Sequence, residues 1–170
     1  MLRQSTKEVH LLGKQGRWHE AIQTLSGLDE AALQIDARFL SGVVGACAKA
    51  ARWSAALAFL ELVDERRLES DVISHNKVIS ACERESLWEI TLCLLQRIQE
   101  KYLAADVISF TSSISACGKA SCWQLSLQML SELSLHGVEA NEVTFGAAIT
   151  GCERDGKWQA AVALLQDRVS

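Results

Sequence analysis

The stretch that decides the fold is ACGKASCW, residues Ala116–Trp123, a turn of small residues between two apolar segments. Its pattern returns at intervals of 35 residues along the whole chain. The interval is kept by every tryptophan and by four of the six cysteines: Trp18, Trp53, Trp88, Trp123 and Trp158, with Cys47, Cys82, Cys117 and Cys152. A fixed period of this length is typical of stacked repeats, in which each unit buries its apolar face against its neighbours.

The interval divides the 170 residues into units without insertion or deletion. In each unit a first apolar segment reaches the small-residue turn, and a second one follows with apolar residues at helical spacing, as in Trp88, Leu92, Leu95 and Ile98. The pattern predicts an all-α fold, an α-solenoid of stacked helix-turn-helix hairpins forming a single array. Its units are residues 2–36, 37–71, 72–106, 107–141 and a partial fifth, 142–170.

Several columns of the repeat are expected to serve packing alone. One apolar column lies in each predicted first helix and one in each second helix: Val9, Val44, Ile79, Ile114 and Ile149, and Leu25, Leu60, Leu95, Leu130 and Leu165. The turns carry small residues that let two helices meet closely: Gly16, Ala51, Ser86, Ser121 and Gly156. Gly137 is expected to stop a second helix.

Composition narrows the classes of function. The chain is 49% hydrophobic with a net charge of −4, and no apolar run approaches the roughly 20 residues that a membrane span requires. Cysteines spaced one per repeat cannot converge on a zinc ion and behave as small apolar residues, and reduced thiols favour an intracellular compartment. The histidines recur in no column, and no catalytic motif appears. We therefore expect no enzyme activity, cofactor, metal, small-molecule substrate or membrane partner.

The segment Val72–Arg84, VISHNKVISACER, is nearly repeated at Val107–Lys119. A 35-residue helical hairpin of this form closely resembles the pentatricopeptide repeat (PPR). The tetratricopeptide repeat fits less well, because its tryptophan lies elsewhere and its period of about 34 residues would drift against these units. The resemblance covers nearly all of the chain and implies a right-handed superhelix.

The resemblance further implies single-stranded RNA binding at one base per repeat, read by two or three side chains. In the family, the reading residues are the fifth and the last of a unit. Here they are Thr6 with Asp36, Ser41 with Asp71, Asn76 with Asp106, and Thr111 with Asn141. All eight are small and polar. The alternative for the Asp and Asn residues is that they cap the next helix, and the two roles are compatible.

The second residue of a unit in this family places an aliphatic wedge between adjacent bases, which Ile73, Ile108 and Val143 can supply. Arg3 and Arg38 depart from that pattern, although a guanidinium can stack on a base. In the fifth unit, Gly146 has no side chain with which to read a base. The base reading of those three units is therefore in question.

A basic residue stands once in every unit, at the foot of the first helix: Lys14, Lys49, Arg84, Lys119 and Arg154. One positive charge per repeat would match one phosphate per nucleotide. The alternative is that these charges complement the C-terminal ends of helices. Neighbouring acidic residues partly cancel the column.

Two hypotheses for function follow. The first is a sequence-selective module that binds single-stranded RNA, in the RNA processing, stability or editing of a chloroplast or mitochondrion, as the resemblance implies. The second is an α-solenoid scaffold for protein partners, which the net acidity favours.

Overall fold

A computed structural model describes residues 8, 11–12, 15, 17, 20, 23, 37–50, 52–65 and 70–167. Between Ala37 and Asp167 the described residues form eight helices and no strand, so the predicted all-α helical-repeat fold is confirmed. The helices are α1 Ala37–Lys49, α2 Trp53–Glu65, α3 Val72–Arg84, α4 Trp88–Glu100, α5 Val107–Lys119, α6 Trp123–Leu135, α7 Glu142–Arg154 and α8 Trp158–Asp167. Each tryptophan of this region opens a second helix, as the repeat predicts. None of the described helices is long and apolar enough to cross a bilayer.

The chain divides into two compact units, Met1–Ala81 and Cys82–Ser170. In the first, α1 packs on α2. Its core includes the fully buried Val44 and Cys47 of α1 and Phe59 and Leu60 of α2.

In the second compact unit, α4 packs on α5, α5 on both α6 and α7, and α7 on α8. Its core joins Leu95, Phe110, Ile114 and Leu133, each at most 3% exposed. Burying such side chains contributes roughly 1.5–3 kcal/mol each to folding. Six members of the expected packing columns are buried: Val44, Ile79, Ile114, Leu60, Leu95 and Leu130. Ile149 is only partly buried. Val9 and Leu25 lie outside the described residues, as does the side chain of Leu165.

The turns after α3, α5 and α7 each contain one residue in the left-handed backbone conformation. Ser86, Ser121 and Gly156 have φ of 59°, 60° and 65°. Behind each, a backbone N–H returns to the helix, for example from Leu87 to the carbonyl of Cys82 at 3.0 Å. This arrangement satisfies carbonyl groups that a helix end otherwise leaves unpaired. The residue type at this turn position is therefore determined by backbone conformation as well as by small size. Gly16 and Ala51 lie outside the described residues.

The second helices end in the same way. Gly137 has φ of 69° and terminates α6, as predicted, while Tyr102 takes the equivalent position after α4 with φ of 55°. A tyrosine is a poor residue for this conformation, because its Cβ crowds the backbone.

Helices α5 and α7 make their closest approach at two glycines. A Cβ added to Gly151 would lie 2.8 Å from the Cα of Gly118, and a Cβ on Gly118 would lie 3.0 Å from the Cα of Gly151. The two backbones can touch only because neither residue has a side chain.

The tryptophans are less buried than a uniform packing column would be. Trp53, Trp88 and Trp123 are partly buried, but Trp158 is 66% exposed. Trp18 lies outside the described residues.

Candidate nucleic-acid interface

Three aliphatic side chains stand in solvent one repeat apart. Ile73, Ile108 and Val143 are the second residues of α3, α5 and α7 and are 60%, 55% and 67% exposed. They are the residues expected to act as wedges. Arg3 and the side chain of Arg38, at the same position of the first two repeats, lie outside the described residues.

Where the structure describes it, the last residue of a unit caps the first helix of the next. Asp106 and Asn141 precede α5 and α7, and each accepts a backbone N–H through a side-chain oxygen, from Ser109 and Thr144, at 2.9 Å in both cases. Asp71 accepts from the backbone of Ser74 at 2.8 Å. The capping interpretation is thus confirmed for these residues. It also fixes the orientation of side chains expected to read bases.

One predicted reading pair is fully described inside a single compact unit. Thr111 lies in the second turn of α5, and its Oγ1 is 2.7 Å from the Oγ1 of Thr144 on α7. The Thr144 hydroxyl in turn lies 3.0 Å from Oδ1 of Asn141 and donates to it. The structure therefore brings the predicted partners Thr111 and Asn141 together through one intervening hydroxyl.

The intervening residue belongs to a column that the sequence interpretation missed. Ser74, Ser109 and Thr144 are the third residues of their units, are at most 2% exposed, and each hydroxyl donates to the Asp or Asn three residues earlier. The spacing Asp/Asn-x-x-Ser/Thr before an apolar run is a capping signal, and it could have revealed them.

The other predicted pairs are described only in part. Asn76 is a buried residue of α3 and belongs to the first compact unit, whereas Asp106 belongs to the second. Ser41 lies in α1, but its side chain is not described. Thr6 and Asp36 lie outside the described residues.

The basic column is placed at the C-terminal ends of first helices, and its members differ. Lys49, Arg84 and Arg154 are exposed, but the Lys119 ammonium lies 2.7 Å from the Glu83 carboxylate, which also accepts a hydrogen bond from Ser115. Lys14 lies outside the described residues.

Two members of the column also donate a hydrogen bond to a backbone carbonyl at the end of the first helix of the preceding repeat. Lys119 donates to the carbonyl of Glu83 at 3.4 Å, and Arg154 donates to the carbonyl of Lys119 at 3.2 Å. Positive charges at these ends complement the helix dipole. The helix-end interpretation therefore has direct contacts in its favour for these two residues.

The repeating cysteines are part of the core. Cys47, Cys82, Cys117 and Cys152 are free thiols and fully buried, as their packing role predicts. Burial raises the pKa of the Cys82 and Cys117 thiols to about 11, so that both stay protonated at neutral pH. Within the part of the chain that the structure describes, no group of three or more His, Cys, Asp or Glu residues could hold a metal ion.

Comparison by sequence gives one family match. The model described as PPR repeat matches residues 143–167, the hairpin formed by α7 and α8. A search of curated proteins found no match.

Comparison by structure extends over nearly the whole chain. The maize pentatricopeptide repeat protein PPR10 superposes with a TM-score of 0.80 at 16% identity, covering 96% of this chain and 23% of that one. The PPR domain of Arabidopsis thaliana protein-only RNase P 1, solved with tRNA, gives 0.78 at 10% identity, covering 96% of this chain and 88% of that one. PPR10 in complex with an 18-nucleotide psaJ RNA element gives 0.69 at 19% identity, covering 98% and 28%.

The repeated hairpins, their period and these superpositions define a helical-repeat protein of the solenoid class. More narrowly, the last hairpin matches the pentatricopeptide repeat model, and the chain has the fold of pentatricopeptide repeat proteins. The resemblance noted in the sequence is confirmed at that level.

Proposed function

We propose that this chain binds single-stranded RNA and selects its sequence, one nucleotide per repeat. The observation that carries the proposal is the column of exposed aliphatic side chains, Ile73, Ile108 and Val143, set once per repeat on the first helices. Exposed apolar side chains that recur at one position of a repeat offer apolar surface that a ligand can cover.

The chemistry beside that column suits an unpaired base. An aliphatic side chain can contact the face of a base, while hydroxyl and amide groups can hydrogen-bond its edge. Val143 lies two residues after Asn141. The side chain of Asn141 is linked to that of Thr111 by hydrogen bonds through the Thr144 hydroxyl. Bases can enter such a site only when they are unstacked, so a single strand is the fitting ligand.

The similar proteins of known structure support the same class of ligand. PPR10 was solved with a psaJ RNA element and the PPR domain of protein-only RNase P 1 with tRNA. By analogy, RNA is the ligand proposed here. We assign the chain binding alone and no catalytic step, and we extend the proposal to RNA processing or stability in a chloroplast or mitochondrion on family resemblance.

The alternative, a scaffold for protein partners, is favoured by charge. The net charge is −4, and the ion pair between Lys119 and Glu83 neutralises one member of the basic column. Nucleic-acid-binding domains are usually basic. A chain of this charge should bind RNA weakly and chiefly at low salt.

Binding of a fluorescently labelled, randomised 10-nucleotide RNA, measured by anisotropy at low salt, tests the proposal. Unlabelled single-stranded RNA should compete, and duplex RNA should not. Replacing Ile108 or Val143 by Thr keeps the branched shape but removes apolar surface, and should weaken binding. Leu135→Thr is the matched control, since Leu135 is 84% exposed but lies at the end of α6, outside the column. No binding of any single strand, or equal loss in all three variants, would refute the proposal and leave the protein scaffold.

A further inference from the structure

The hydroxyl group of Thr144 is fully buried and lies between two residues proposed to read a base. It is 2.7 Å from Oγ1 of Thr111 and 3.0 Å from Oδ1 of Asn141, and its residue is 0% exposed. Both distances are hydrogen-bond lengths between oxygen atoms, so each contact needs one proton.

Counting protons fixes the direction of the two bonds. An amide oxygen carries no proton, so the contact to Asn141 must use the hydroxyl proton of Thr144. That proton is then committed, and the contact to Thr111 must use the proton of Thr111. Only the order Thr111 to Thr144 to Asn141 satisfies both contacts. A weaker bond from the backbone N–H of Asn141 to the Thr144 hydroxyl, at 3.3 Å, agrees with this order.

The order decides what the pair can offer a ligand. The Thr111 proton is used inside the protein, so toward a ligand its oxygen can act only as an acceptor. Asn141 Oδ1 already accepts from the backbone N–H and the hydroxyl of Thr144, at 2.9 and 3.0 Å. The exposed Asn141 is therefore left with its amide N–H2 group as the donor.

We propose that Thr144 is a positioning residue that sets the hydrogen-bond polarity of the Thr111 and Asn141 pair, so that Thr111 accepts and Asn141 donates toward the base. The proposal rests on the proposed RNA-binding function and deepens it. It adds to this reading pair a buried third residue that touches no RNA. The equivalent hydroxyls of Ser74 and Ser109 donate to Asp71 and Asp106 in the same way.

Thr144→Val tests the proposal, because valine keeps the shape of threonine and replaces only the hydroxyl group by a methyl group. The probe is the RNA that the unchanged chain retains from a randomised pool, prepared in four forms that differ at the nucleotide whose preference changes in Asn141→Asp. In Thr144→Val the proton of Thr111 is released and discrimination among the four forms should fall about tenfold, the scale of one lost directional base contact. Thr144→Ser, which keeps the hydroxyl, should retain it.

Thr150→Val is the matched control. Thr150 lies on the same helix, is exposed, and its hydroxyl bonds only to the carbonyl of Gly146 among the contacts described for it, at 2.8 Å. The control should leave all four affinities unchanged. Discrimination in Thr144→Val equal to that of the unchanged chain would overturn the proposal. So would a uniform loss of affinity for all four RNAs that follows the loss of thermal stability, since that would mark Thr144 as a structural cap alone.

Failure of the proposed function is a different outcome: the unchanged chain would then show no preference at any nucleotide. If Thr144→Val does not fold, the unchanged chain still gives an answer by NMR. The hydroxyl protons of Thr111 and Thr144 should both exchange slowly with water, because each is held in a bond. A Thr111 hydroxyl proton that exchanges freely would contradict the order of hydrogen bonds from Thr111 to Thr144 to Asn141 and overturn the proposal.

Discussion

Tyr102 occupies a backbone conformation that suits glycine. Its φ is 55° and its side chain is 97% exposed, so the ring has little contact that would repay the strain. Tyr102→Gly should raise the free energy of unfolding by about 1 kcal/mol, the usual order of the left-handed penalty for a residue with a Cβ. Denaturant unfolding measures the change.

The equivalent turn after α6 supplies the control. Gly137 has φ of 69° with open space around its Cα, so Gly137→Tyr should destabilise by a similar amount without any clash. If Tyr102→Gly were neutral or destabilising while Gly137→Tyr was tolerated, left-handed strain would not be the relevant energy at these turns.

The buried thiols make stability depend on alkaline pH. The pKa of Cys82 and of Cys117 is raised by burial from 9.0 to about 11. Unfolded thiols ionise first as pH rises, so these residues stabilise the fold fully below pH 9 and lose that contribution between about pH 9 and 11. Urea unfolding across this range should show falling stability, with a shallower slope in Cys117→Ala. An unchanged slope in Cys117→Ala would contradict this contribution.

At the scale of the helix, the contact between α5 and α7 leaves no room for a side chain at Gly118 or Gly151. Gly151→Ala would place a Cβ 2.8 Å from backbone that cannot move aside as a side chain can. We expect a loss of about 1–3 kcal/mol, typical of overpacking. Gly146→Ala lies on the same helix with open space around it, and should be neutral or stabilise by up to about 1 kcal/mol. Equal effects of the two variants in thermal melts would contradict the close approach.

The helices could be predicted from the sequence because an uninterrupted period repeats every helix start, and Trp88 and Trp123 mark the second helices directly. Contacts between neighbouring repeats could not be predicted from the sequence. Gly151 and Gly118 occupy different columns of the repeat, so no column pattern pairs them. The left-handed turn at Tyr102 was also hidden, because the residue type argues against that conformation and tertiary context overrides it.

The candidate site shows the same division. Thr111 and Asn141 were predicted as a pair from the family resemblance, and the geometry brings them together through Thr144. Thr144 itself was missed, although the Asn-x-x-Thr spacing indicates a cap. Spacing cannot give the contact between Thr144 and Thr111, because Thr111 lies 33 residues earlier, on α5.

For the whole molecule, the ion pair between Glu83 and Lys119 should restrain RNA binding. Glu83→Gln would free the ammonium group, so affinity for every single-stranded sequence should rise and the salt dependence should steepen by about 0.7 per released contact. Glu153→Gln is the control, because it makes the same charge change at the same position of the repeat. Glu153 is exposed and forms no ion pair with any residue that the structure describes. Titrations at several salt concentrations measure both. Identical gains would mean that net charge, rather than Lys119, governs binding.

The central claim is that the Thr111 and Asn141 pair reads one nucleotide. Selection of a randomised RNA pool by the unchanged chain and by Asn141→Asp, followed by sequencing, tests it most directly, because the change replaces an amide donor by an acceptor and keeps the cap. The account predicts two enriched motifs that differ at a single nucleotide. Identical motifs, or enrichment by neither chain, would contradict it.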